Sequence, residues 1–317
     1  MVSSPVSARL RLGTRGSLLA LSQSRLIAVE LQRLQAGLDV ELVTIKTTGD
    51  RITDRPLYDA GGKGLFTKEL ELALLRGEID FAVHSMKDVP VTMPLVDQTD
   101  LVIAAIPKRE DPRDVAVMRD PSRGALPRGA VVGTSSLRRK CQILEVCPDA
   151  RIESLRGNID TRIQKLRAGE FDVIVLAMAG LKRTGLYDPA FMAPADMLPA
   201  PGQGALALQC RRADERTINV LACVDDPITR RCVELERAVV LALHGDCHSP
   251  IAALAAVQKD GKRISLRVAV GGRDGTPPIY RSTATSPGST ESDSAVVMQA
   301  VQDLINQGYS GRARPQE

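Results

Sequence analysis

Apolar and polar positions follow two rhythms along the first two-thirds of the chain, and the rhythms take turns. Runs of strand character over 9–14, 40–47 and 79–84 are separated by helix-like runs over 17–34 and 65–76. The same order returns with strands over 130–134, 151–155 and 171–177 and helices over 136–146 and 159–167. Strands alternating with helices predict an α/β fold, with parallel-rich sheets flanked by helices. The halves also resemble each other. Leu12-Gly13-Thr14-Arg15-Gly16-Ser17 parallels Val132-Gly133-Thr134-Ser135-Ser136, and Leu75-Arg76-Gly77-Glu78-Ile79-Asp80 parallels Leu166-Arg167-Ala168-Gly169-Glu170-Phe171. Their spacing differs, which suits two similar lobes better than a solenoid of fixed period.

Polar, proline-marked segments at 106–112 and 194–204 divide the pattern, and another strand-like run follows over 205–210. The chain is therefore expected to leave a first lobe (1–105 and 203–223), build a second (109–199) and return. Such a double crossing suits hinged closure on a ligand. The last third changes character: a helix over 228–243, strands over 251–257 and 263–270 around the turn Lys259-Asp260-Gly261-Lys262, and a helix over 292–305. This predicts a small α+β domain over 226–317.

With 317 residues there is enough chain for two or three domains. Aromatic residues make up only 3%, with no Trp, so the core is aliphatic and a base-stacking surface for nucleic acid is poorly supplied. The net charge of +4 excludes little by itself. More telling is that arginines outnumber lysines 32 to 10, and that 128–167 holds nine basic against four acidic residues. Arginine grips carboxylate or phosphate with a two-point fork, although such a run also serves as a solvated face. Six scattered cysteines without a C-x-x-C pair fit reduced thiols better than a disulfide framework. The start of the chain has no apolar signal core, and its longest apolar run, 173–181, is too short to cross a bilayer. A cytoplasmic protein without membrane contact is expected.

Ser17 and Ser136 each stand where a strand turns into a helix, with Arg15 near the first and Arg138 and Arg139 near the second. Free backbone N–H groups and the helix dipole attract anions there, and the same serines serve as ordinary helix caps. Leu155-Arg156-Gly157-Asn158 opens a helix that carries Arg162, so both arginines can flank one anion. In His84-Ser85-Met86-Lys87-Asp88-Val89-Pro90 a carboxylate sits beside a lysine at a strand end. Asp88 there either caps its loop or acts as an acid–base group. Gly245-Asp246-Cys247-His248-Ser249-Pro250 places a thiol in a polar loop, as a nucleophile or as a small apolar residue. His244, Cys247 and His248 show no fourth metal ligand, so no metal is expected. Gly61-Gly62-Lys63-Gly64 lacks the full phosphate-loop pattern because Leu65 follows it, so no nucleotide is expected and a flexible lid is the better reading.

Taken in order, these motifs resemble the porphobilinogen deaminase (hydroxymethylbilane synthase) family over essentially the whole chain. They are joined by Gly61-Gly62-Lys63-Gly64-Leu65-Phe66, Gly133-Thr134-Ser135-Ser136-Leu137-Arg138-Arg139 and Ala200-Pro201-Gly202-Gln203-Gly204. The resemblance implies two lobes like those of periplasmic binding proteins, an active cleft between them and a third domain. It also implies a dipyrromethane cofactor, self-assembled from substrate and held by a thioether at Cys247. On this primer, four porphobilinogen units would be joined with loss of ammonia, and water would release the product. Asp88 matches the catalytic aspartate. Arg15, Ser17, Lys63, Ser85, Lys87, Thr134, Ser135, Ser136, Arg138, Arg139, Arg156, Arg162 and Arg183 match positions that bind carboxylates of cofactor and substrate. Gly61, Gly62, Gly64 and Phe66 fall in the lid and Gln203 in the hinge. The partners implied are porphobilinogen and the growing polypyrrole, without nucleic acid, on a monomer. Asp59, Asp160, Asp246 and His248 depart from the usual residues. A non-enzymatic two-lobed binder of a small polyanion is the alternative; Cys247 and the third domain separate the two readings, since simple binding needs neither.

Overall fold

The computed structural model describes residues 8–51, 67–91, 100–246, 248–286 and 293–310. The chain divides into two compact units, Met1–Arg109 with Ala205–Arg230, and Glu110–Gly204 with Arg231–Glu317.

In the first unit, strand β1 (Ala8–Thr14) leads into helix α1 (Leu18–Leu34), followed by β2 (Leu38–Thr44), the short α2 (Thr48–Arg51), α3 (Lys68–Leu75), β3 (Phe81–Ser85), a 3-10 turn at Met86–Asp88, and β4 (Leu101–Ala105). In the second come β5 (Asp114–Met118), β6 (Val131–Gly133), α4 (Leu137–Val146), β7 (Arg151–Glu153), α5 (Ile159–Arg167), β8 (Val173–Ala177), α6 (Met178–Thr184) and β9 (Met192–Pro194). The chain returns with β10 (Leu206–Arg211) and α7 (Glu215–Ala222) and leaves through α8 (Pro227–Ala242). The remainder is β11 (Ile251–Val257), β12 (Ile264–Val270), β13 (Tyr280–Thr285) and α9 (Asp293–Asn306).

The two large sheets share one topology, in the orders β2-β1-β3-β10-β4 and β7-β6-β8-β5-β9. In each, three strands are parallel. The other two join antiparallel, β10 between β3 and β4 in one sheet and β5 between β8 and β9 in the other. The internal repeat of the sequence is therefore a repeat of architecture. The strands that run antiparallel are those next to the crossings, where a returning chain comes back in the opposite direction.

Both faces of each sheet are covered, which is why the strands read as near-continuous apolar runs. On one face of the first sheet Leu10, Leu12, Phe81 and Val83 pack with Ile27 and Leu31 of α1. On the other, Ala82 packs with Leu70, Leu74 and Ile79. The second sheet repeats this, with Ile174 and Leu176 facing Ile163, Leu166 and Leu181 while Val175 faces Val132 and Ile143. Gly13, next to last in β1, and Gly133, last in β6, are matching positions of the two repeats, where an added Cβ would collide with Ile79 or Phe171. The last third is an antiparallel sheet, β11-β12-β13, with α9 packed on it through Val296, Val297, Ala300, Val301 and Leu304.

Candidate active site

In the first unit, β1 and β3 are parallel neighbours, pairing Leu12 with Phe81 and Gly13 with Ala82. Segments leaving their carboxyl ends therefore emerge side by side, the position where ligands bind in open α/β sheets. After β1 come Arg15, half-buried, and Ser17, whose Oγ caps α1 by accepting from the Ala20 N–H at 3.3 Å. After β3 come Ser85, the half-buried Lys87 and the exposed Asp88. Gln23 of α1 ties the two segments together, its Nε2 donating to Ser85 Oγ at 2.9 Å. Among the described residues, the Asp88 carboxylate makes no hydrogen bond or ion pair. It faces water from a short turn that the Val89 N–H closes on the Met86 carbonyl.

On β3, just before this turn in sequence, His84 begins a buried polar chain. His84 Nε2 donates to Gln209 Oε1 at 3.0 Å, because Gln209 uses its Nε2 on Glu71 Oε1, also at 3.0 Å. Burial, joined by the positive charge of Arg15, lowers the His84 pKa to about 4 despite the bond to Gln209.

In the second unit, the turn from β6 to α4 carries Thr134, Ser135 and Ser136. Thr134 Oγ1 accepts from the Ser136 N–H at 3.2 Å, and Ser136 Oγ caps α4 at the Arg139 N–H. Ser135 Oγ donates to the Leu155 carbonyl and lies 2.9 Å from Ser154 Oγ, which fastens this turn to the loop bearing Arg156. Arg156 Nε is buried and has no hydrogen-bond partner among the described residues. Arg162 Nε donates to the Gly157 carbonyl at 2.7 Å.

Arg138 and Arg139 lie on the inner side of α4, 4% and 7% exposed, and both hold Asp114 at the start of β5. Arg138 takes Oδ2 and Arg139 takes Oδ1, each at 2.7 Å. Burial pushes the Asp114 carboxyl up, but the two guanidinium charges outweigh it and hold the group well below the usual carboxylate range. Burial likewise lowers the pKa of Arg138. Gln203 joins the cluster from the return crossing, its Nε2 donating to Asp114 Oδ1 at 2.9 Å and to the Pro112 carbonyl at 2.8 Å. Its neighbour Gly204 accepts from Arg183 at 2.7 Å, and burial lowers Arg183 to about 10. Gln203 and Gly204 thus bring the Arg183 end of α6 and the Asp114 cluster to one crossing.

Further along, Asp246 folds its loop around itself. Its Oδ1 accepts from the N–H groups of His248 and Ser249 and from Ser249 Oγ, at 2.9–3.0 Å. The Asp246 carboxylate is thus engaged by its own turn. Cys247 lies outside the described residues, as do Asp59, Gly61, Gly62, Lys63, Gly64 and Phe66. The loop is followed by β11, which is tied to the crossing. The Ala253 N–H donates to the Pro199 carbonyl at 3.2 Å, and Glu236 of α8 accepts from the N–H groups of Gly202 and Ala255 at 2.7 and 2.8 Å.

Sequence reasoning missed the buried carboxylates Asp114 and Glu236, as it did Glu71 under Gln209. The signals were present but weak: an aspartate entering the apolar run Asp114-Val115-Ala116-Val117, and a glutamate on the inner face of α8. Among the described residues no three His, Cys, Asp or Glu side chains cluster as a metal-ligand set, and no helix is long and apolar enough to cross a membrane.

Comparison with known proteins places two family profiles on the chain. Residues 10–219 match the family described as porphobilinogen deaminase, dipyromethane cofactor binding domain. Residues 230–303 match porphobilinogen deaminase, C-terminal domain. The chain is 46% identical over 301 residues to the porphobilinogen deaminase of Brevibacillus brevis, covering 94% of each. It is 49% identical over 281 residues to that of Syntrophobacter fumaroxidans, covering 88% of this chain and 89% of the relative. The reduced OxyR regulatory domain from Pseudomonas aeruginosa is a distant structural neighbour, with a TM-score of 0.39 and 16% identity over 73% of this chain and 99% of that one.

Proposed function

The chain belongs to the porphobilinogen deaminase family, a transferase of tetrapyrrole biosynthesis, and from that premise we propose which of its residues carry the reaction. Family membership does not favour the non-enzymatic polyanion binder. The region 10–219 is the family's dipyrromethane-binding domain. We assign attachment of that cofactor to Cys247 in a C-terminal module over 226–317, on a cytoplasmic monomer.

The residues present suit such a group. Pyrrole acetates and propionates make a polyanion, and the second unit offers buried guanidinium N–H groups at Arg139 Nε and Arg156 Nε that donate to nothing among the described residues. When bound, the dipyrromethane supplies the pyrrole carbon to which the substrate units are joined. Arg15, Ser17, Ser85 and Lys87 in the first unit, and Thr134 to Ser136, Arg138, Arg139, Arg156, Arg162 and Arg183 in the second, are the proposed carboxylate partners. Lys63 and the 61–66 lid complete the set.

Asp88 is the proposed catalytic group, and the observation that carries the reading is its exposed carboxylate, which is unengaged among the described residues. Loss of ammonia from porphobilinogen leaves a positively charged pyrrole. A fixed carboxylate can stabilise that charge, accept a pyrrole N–H and take up the ring proton once the carbon–carbon bond has formed. The turn that carries it is closed by the Val89 N–H on the Met86 carbonyl and tied to the residue before β10 by the Met86 N–H on the Ala205 carbonyl, so it needs little reorganisation to do so.

The deciding experiment is the intact mass of the protein beside its Cys247→Ser variant, each after incubation with porphobilinogen. An excess equal to two deaminated porphobilinogen units, present only with the cysteine, is expected. No excess in either protein overturns the assignment.

A further inference from the structure

We propose that Asp114 is a positioning residue for the arginine pair, orienting Arg138 and Arg139 toward a substrate or cofactor carboxylate. The inference rests on the reading of those arginines given above. Asp114 is fully buried and divides its oxygens between the two guanidiniums. Their other side-chain hydrogen bonds among the described residues are to neutral groups: Arg138 donates to the Leu198 carbonyl and Arg139 to the Val175 carbonyl, each at 2.7 Å. Among the described residues both arginines form ion pairs with Asp114 alone. Two positive charges and one negative are therefore enclosed together, an arrangement that is costly unless a further anion is at hand. Arg139 Nε, buried and without a partner among the described residues, marks where the hydrogen bonding of the pair is incomplete.

The geometry also places the pair with respect to the chain crossing. Asp114 Oδ1 accepts from Gln203 as well as from Arg139. Gln203 in turn holds the Pro112 carbonyl, and the Glu110 N–H donates to the Gly204 carbonyl at 3.2 Å. One carboxylate thus sets the forks of both arginines relative to the two strands of chain that enter and leave this unit.

Positioning and simple charge neutralisation predict opposite signs for Asp114→Asn. The substitution raises the local positive charge by one. If Asp114 only tempers that charge, the polyanion should bind better. If it orients the forks, binding should fall despite the added attraction. The measurements are the rate of primer loading, read by intact mass after adding porphobilinogen to cofactor-free protein, and KM and kcat of the loaded protein. We expect slower loading and a KM raised about tenfold, with kcat changed less. Faster loading, or a KM that falls or stays the same, overturns the proposal. Asp114→Glu keeps the charge but displaces it by one methylene, and it decides the matter if the Asn variant fails to fold. A KM raised about threefold with near-normal melting is expected, and an unchanged KM counts against positioning. Arg139→Leu separates the two levels of argument. If it leaves loading and KM untouched, the carboxylate-binding reading fails. If it weakens both while the Asp114 variants do not, only the positioning role fails.

Discussion

The buried histidine on β3 should make stability depend on pH in a calculable way. His84 has a folded pKa of about 4, lowered chiefly by burial, against an ordinary value of 6.5. Between these values the unfolded chain binds a proton that the folded protein refuses, so stability rises with pH across this window and falls as pH drops through it. Above pH 6.5 the histidine is neutral in both states and the penalty vanishes. The full effect is about 3 kcal/mol, from 1.36 kcal/mol per pKa unit, of which about 2 kcal/mol is lost between pH 7 and pH 5. The assay is urea unfolding of the protein and of His84→Gln, which keeps a polar partner for Gln209 but does not titrate. The variant's offset at pH 7 reports packing, whereas the difference in pH dependence reports the buried imidazole. Parallel stability curves for the two proteins from pH 7 to pH 5 would refute the reasoning, because they would mean that His84 takes up a proton as readily in the fold as out of it.

Other outcomes follow from the same contacts. Asp88→Ala should abolish turnover and leave melting nearly unchanged, since the side chain is exposed; near-normal product formation would remove it from the mechanism. Glu236→Gln should destabilise the protein by about 2–4 kcal/mol, because the new amide must turn a donor toward the Gly202 or Ala255 N–H. A change below about 1 kcal/mol in urea unfolding would count against that carboxylate as a tie. Gly204→Ala should cost at least about 2 kcal/mol, since the backbone has a φ of +88° and the added Cβ meets the Glu110 carbonyl. An unchanged melting temperature would contradict the crossing geometry.

Much of the fold was legible because most of it is locally periodic. Helix α1 starts where Ser17 offers a cap, and its buried residues, Gln23, Ser24, Ile27, Ala28 and Leu31, recur three and four apart. α5 and β11 occupy the ranges that the pattern indicates. Less visible were β5, which opens with a charged aspartate directly after Pro112 and Arg113, and β9, three residues long and ending in a proline. Proline is tolerated there because β9 is an edge strand, paired with β5 alone. α6 follows β8 without a break, so its apolar residues merge with those of the strand.

The sequence by itself determined the family, the repeated α/β pattern, both serine-capped turns and the candidate set of arginines, because each rests on neighbouring residues and their order. Only the tertiary structure decided what those groups meet. Asp114 reaches Arg138 across 24 positions, Gln203 reaches Asp114 across 89, and His84 reaches Gln209 across 125. Pairings of that kind depend on which strands lie side by side and in which direction they run. In β10 and β5 that direction is antiparallel, and it is set by how the chain returns through its crossings and by which apolar faces must be covered, not by any local signal in the residues that end up touching.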